Sequence, residues 1–117
     1  MKKLFIVTII TAITVFAACS KSNDGGGNGG GTNNCTTTKS FASDINPTIQ
    51  STCAVSGCHA AGSTNGPGAL TTYQQIFNAR SQIRTAVNNG TMPKNGSLTT
   101  TQKNNILCWI DNGAPNN

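Results

Sequence analysis

The sequence predicts an all-α domain, and three observations carry that expectation. Apolar residues recur three and four apart at Ile45/Ile49, Tyr73/Ile76/Phe77, Ile83/Val87 and Ile106/Trp109/Ile110, which is the period of one helix face. Hydroxyl residues stand ahead of these runs as N-caps, and Thr99-x-x-Gln102 has the form of a capping box. Gly and Pro stand behind them, at Asn88-Asn89-Gly90 and at Gly113 followed by Pro115, where helices stop.

Taken in order, residues 1–18 read as a signal peptide. Lys2 and Lys3 precede an apolar run over 4–18 that is broken by threonines and falls short of the ~20 apolar residues of a membrane span. Phe16-Ala17-Ala18-Cys19 resembles a bacterial lipobox, which makes Cys19 the expected lipidated N-terminus and the membrane attachment. Residues 19–34 then form the lipid-bearing Cys and a Gly/Asn-rich linker with no side chain that could bury apolar area. Over residues 20–34 a flexible coil spans about 20 Å. The glycines have no preceding strand and no following helix start, which removes a phosphate-loop reading.

The folded domain is expected over residues 35–117, about 83 residues. Below ~80 residues a single core is usually marginal without a staple, and this one has only Phe41, Tyr73, Phe77 and Trp109 as aromatics. Ser43 is the expected cap of the first helix, with Pro47 tolerated in its first turn and Ile45 and Ile49 leading toward Cys53. Residues 62–70 are a turn-rich loop. Thr71 or Thr72 caps a helix through Tyr73, Ile76 and Phe77, and Ser81 opens another that carries Ile83 and Val87. Met92-Pro93 follows in an irregular loop. The last helix buries Ile106, Trp109 and Ile110, with Cys108 roughly 160° from Ile106 on the other side at about 100° per residue.

The chemistry concentrates at Cys53-Ala54-Val55-Ser56-Gly57-Cys58-His59, where two cysteines are followed by the chain's only histidine. Two thiols can add across haem vinyl groups while the adjoining imidazole reaches the iron; the usual spacing is C-x-x-C-H, and here four residues separate the cysteines. Met92 is the only methionine outside the initiator, so one His and one Met suffice for two axial iron positions. If Cys19 takes lipid and Cys53 and Cys58 take thioethers, Cys35 and Cys108 remain as a disulfide pair, as an oxidising envelope favours. The alternatives are a haem-free protein with two disulfides, for which four cysteines allow three connectivities, and a zinc site on Cys53, Cys58 and His59.

Residues 43–113 resemble a monohaem class I c-type cytochrome, on the strength of Cys53-x4-Cys58-His59, Met92-Pro93 and Trp109-Ile110-x-x-Gly113-Ala114. The closest likeness is to the short cytochrome-like domains of bacterial envelope lipoproteins. The resemblance implies a small helical domain wrapped around one covalent haem c, with His59 and Met92 as axial ligands. It also implies that the Pro67 carbonyl accepts the proximal imidazole's second N–H, and that Ile45 and Ile49 pack on Trp109 and Ile110.

The function expected is envelope electron transfer with redox proteins as partners, on a lipid anchor in the outer membrane that faces the periplasm or the cell surface. A haem-based ligand binder, sensor or weak peroxidase is the second reading, and a haem-free structural lipoprotein the third. Bis-histidine ligation within one chain is excluded by the single histidine, and with no Glu, no second His and no carboxylate pair no enzyme is expected. The formal charge of +5 falls to +3 once Lys2 and Lys3 leave, since six basic residues then face Asp24, Asp44 and Asp111. Those six are scattered along the chain, which disfavours nucleic acid.

Overall fold

The computed structural model describes residues 35–117; the signal peptide, the lipidation of Cys19 and the linker expected from the sequence lie outside those residues. Every regular element described is helical, with no strand among them, so the domain is all-α as the periodicity requires.

The first helix begins earlier than expected. Ser40, rather than Ser43, is the N-cap: its Oγ accepts from the Ser43 N–H at 3.3 Å, and the Asp44 carboxylate accepts the Ser40 N–H at 2.8 Å. This reciprocal pair satisfies two donors that a helix start leaves open. It launches a π-turn, Phe41–Ile45, which runs directly into α1, Asn46–Thr52. Pro47 has no N–H to give, and it falls within the first turn of α1, just after the wider turn has broken the four-residue ladder. Phe41, Ile45 and Ile49 are all turned inward and buried.

Thr72, rather than Thr71, caps α2, Tyr73–Asn78, in a complete capping box with Gln75. The next helix, α3, Arg80–Asn88, starts at Arg80 and not at Ser81. No side chain caps it, because buried Ala79 serves both helices: its N–H closes onto Gln75 O, and its carbonyl accepts the Ile83 N–H at 2.9 Å. Arg80 stays at this joint, its guanidinium 4.1 Å over the Phe77 ring. The last helix, α4, Thr100–Asp111, carries the expected capping box between Thr99 and Gln102.

The core lies where the π-turn, α3 and α4 meet. Trp109 is fully buried, Phe41 packs against it with ring centroids 5.6 Å apart, and Tyr73 meets Phe41 edge-on at 5.0 Å. Ile45, Ile49 and Trp109 share this cluster as expected, whereas Ile110 is only partly buried at its edge and Leu107 takes a fully buried place instead. The chain beyond α4 folds back over the tryptophan. Trp109 Nε1 donates to Pro115 O at 2.9 Å, Tyr73 Oη donates to Ala114 O at 2.9 Å, and the Asn117 side-chain oxygen accepts the Phe41 N–H at 2.8 Å.

Cys35 and Cys108 form a disulfide with Cα atoms 5.1 Å apart across 73 residues of sequence. It clips the start of the domain to α4, and closing a loop that long is worth about 4 kcal/mol against the unfolded chain. Among the described residues, no helix is long and apolar enough to cross a membrane.

Candidate cofactor-binding site

The site is a closed loop at the end of α1. Cys53 caps that helix, its N–H on Ile49 O at 2.9 Å, and its side chain packs against the edge of the core. The chain leaves, turns and comes back: the Cys58 N–H donates to Val55 O at 3.0 Å, and the His59 N–H donates to Cys53 O at 3.0 Å. Gly57 has φ +77° with open space where a side chain would stand, so it supplies the left-handed residue that lets the longer loop return. The loop thus presents Cys53, Cys58 and His59 from one small frame.

Both loop cysteines are half-buried free thiols, while Cys35 and Cys108 are paired. Burial, and after it the neighbouring Cys58, push the Cys53 thiol up, which keeps it protonated at neutral pH.

His59 is held on two sides. Its carbonyl accepts the Leu70 N–H at 2.9 Å, and its ring Nδ1 lies 2.8 Å from the Gly68 carbonyl. That carbonyl is aimed by a turn in which the Gly68 N–H donates to Asn65 O at 3.0 Å, with Gly66 at φ +53°. The turn passes close to the imidazole: a methyl group at Gly66 would stand 3.7 Å from His59 Cε1. A ring whose Nδ1–H donates to a carbonyl is fixed in the tautomer that leaves the Nε2 lone pair free to ligate. The residue is only 7% exposed, yet no buried side-chain nitrogen or oxygen among the described residues is without a partner. Nε2, which has no protein partner, is therefore an atom of the ring that solvent reaches.

The expected acceptor, Pro67, is corrected by one residue. The imidazole bonds to Gly68 O, and Pro67 instead lines a shallow surface groove with Gln75, Asn78 and Gln82. Proline and glycine sit side by side in the same turn, and the turn's geometry decides which carbonyl faces the ring.

Met92 follows α3, half-buried, with its N–H 3.4 Å from Ala86 O and a cis bond to Pro93. It does not belong to the buried cluster or to the partly buried side chains packed against it. Among the described residues, no three His, Cys, Asp or Glu side chains converge as a metal ion would need, so Cys53, Cys58 and His59 do not form a ready zinc site. Among the described residues, both aspartates are engaged elsewhere: Asp44 caps the first helix and Asp111 pairs with Arg84 at 2.6 Å.

Two polar side chains complete the loop, and the sequence reading passed over both. Asn65 Nδ2 donates to Gly57 O at 3.1 Å and to Cys58 O at 3.2 Å, and Ser63 Oγ donates to Cys58 O. The signal was present, since Ser and Asn in a Gly-rich turn commonly bond to nearby backbone. The partners, five to eight residues back, were not legible from spacing.

The fold and site therefore define a small helical domain with one oriented imidazole between a free-thiol loop and a glycine turn. No protein-family model, curated protein or solved structure matches this chain.

Proposed function

We propose that this chain is a one-electron carrier of the bacterial envelope, a cytochrome c-like domain holding a single covalent haem. The observation that carries the reading is the His59 ring. Its Nδ1 is held by the Gly68 carbonyl while Nε2 is left without a protein partner, on a loop that also offers two unpaired thiols. This donor set fits haem c by its chemistry: Cys53 and Cys58 would hold the macrocycle as thioethers, and His59 would be the proximal ligand. Met92 would be the distal ligand. Met92 is half-buried and lies outside the core cluster, so ligation would take no side chain from the core.

When bound, the haem supplies a one-electron Fe(III)/Fe(II) couple. The chain's own part is to hold the imidazole in one tautomer, keep its basicity up through the Gly68 carbonyl, and provide a thioether sulfur that favours the reduced state over a second histidine. Partners would be redox proteins of the same envelope. Attachment through a lipidated Cys19 would raise their effective concentration.

Met92→Ala separates a carrier from a ligand binder. In a carrier the substitution lowers the reduction potential and lets carbon monoxide bind the reduced iron, which the wild-type chain binds poorly. If both chains bind the gas equally and share one potential, Met92 is not an axial ligand and the ligand-binding reading takes over.

A further inference from the structure

The spacer between the two thiols has four residues where the usual attachment loop has two, and the longer loop is tied down from outside. Asn65 Nδ2 bridges the carbonyls of Gly57 and Cys58, at 3.1 and 3.2 Å. Ser63 Oγ donates to the Cys58 carbonyl and at the same time accepts the Asn65 N–H at 3.2 Å. The hydroxyl and the amide thus form one network that converges on the last residue of the spacer, Gly57, and on Cys58 itself. Neither side chain belongs to the core, and Asn65 is exposed, so removing the network opens no core cavity. At this end of the loop the backbone N–H groups of Cys58 and His59 bond to Val55 O and Cys53 O. The carbonyl side is held by Ser63 and Asn65.

We propose that Asn65, with Ser63, is a positioning residue for Cys58: it fixes the far end of the four-residue spacer so that the second thioether forms. The inference rests on the haem reading of Cys53, Cys58 and His59. Two added residues give the spacer more freedom to lose, and at its Cys58 end the peptide that bonds to Cys53 O through the His59 N–H is held on its other side through the Cys58 carbonyl. Cys53 is fixed independently as the cap of α1.

Asn65→Asp is the decisive variant. It keeps the shape but turns an acceptor oxygen on two carbonyl oxygens, which removes both bonds and adds repulsion. The full chain, matured in cells that attach c-type haem, is denatured and digested, and the peptide spanning Cys53 and Cys58 is weighed. Asn65→Asp and Ser63→Ala should reduce the Cys58 thioether at least about fivefold while the Cys53 thioether persists. Ser63→Thr, which keeps the hydroxyl, should remain doubly linked. The melting temperature should fall by no more than about 8 °C, which is what a tenfold loosening of the loop takes from a domain of this size.

A second arm uses the full chain made without haem attachment. Hydrogen exchange at the Cys58 and His59 amides should accelerate about tenfold in Asn65→Asp. Doubly linked haem in both disruptive variants overturns the proposal, and so does equal loss of both thioethers. Unchanged exchange overturns the anchoring itself. A wild-type chain that takes no haem overturns the reading of the site and the thioether role with it, and the exchange arm then reports on the anchor alone.

Discussion

Trp109→Ala is the substitution that most directly probes how this small domain holds together. The indole is fully buried, its ring lies 5.6 Å from that of Phe41, and its Nε1–H is given to the Pro115 carbonyl at 2.9 Å. Truncating a buried Trp costs about 3–5 kcal/mol, since the cavity only partly collapses. Loss of the aromatic partner adds about 0.5–1.5 kcal/mol to what Phe41 forfeits. The unfolding entropy of the 83 described residues, at ~2.1 cal/mol/K each, is about 170 cal/mol/K, so a loss of about 4 kcal/mol lowers the melting temperature by roughly 20 °C. Trp109→Phe keeps most of the contact but gives up the donor, and should cost about 1–2 kcal/mol, or roughly 6–12 °C. Thermal unfolding followed by far-UV circular dichroism reads both. A Trp109→Ala chain melting within about 5 °C of wild type would refute the packing account.

Replacing Cys35 and Cys108 together by Ala releases the 73-residue loop and should lower the melting temperature by about 20 °C, from about 4 kcal/mol of loop closure; the same melting point with and without the bridge would contradict this. In the haem-free chain, burial and then Cys58 push the Cys53 thiol up, so the unfolded chain gives up that proton first as pH rises. Its stabilisation is complete below the unfolded thiol's range and is lost as pH climbs through that range toward the folded value. Cys53→Ala should accordingly show a shallower alkaline decline in urea unfolding than the wild type, and parallel declines would count against it.

Much of the helical frame was legible because local chemistry decides it. Thr99 and Gln102, and Thr72 and Gln75, close capping boxes that need only residues three apart. The expectations that shifted depended on partners far away or on exact turn geometry. Ser43 yields to Ser40 because Asp44 reaches back to the Ser40 N–H and the π-turn changes the register. Ser81 yields because Ala79 joins α2 to α3 without a side-chain cap. Ile110 is half-buried and Leu107 buried because α4 is covered on more than one side, by the π-turn, by α3 and by the chain returning after it. A stripe reading assumes a single buried face.

The site divides in the same way. Cys53, Cys58 and His59 lie together because they are together in sequence, and their loop closes on the Cys53 carbonyl. The group that orients the imidazole is Gly68 rather than Pro67 because the direction of a carbonyl belongs to the turn and not to residue type. Ser63 and Asn65 act through backbone oxygens that carry no signature in the sequence.

The central claim, one covalent haem on His59 and Met92, is tested by a single preparation. The full chain is matured in cells carrying c-type haem machinery, its mass is taken after denaturation, and its visible spectra are recorded oxidised and reduced. The account predicts a mass increased by one haem that survives denaturation, a low-spin spectrum in both states, and the weak methionine–iron charge-transfer band in the oxidised form. A chain that stays colourless, at the mass of the polypeptide alone, while a control cytochrome matures in the same cells, would contradict it.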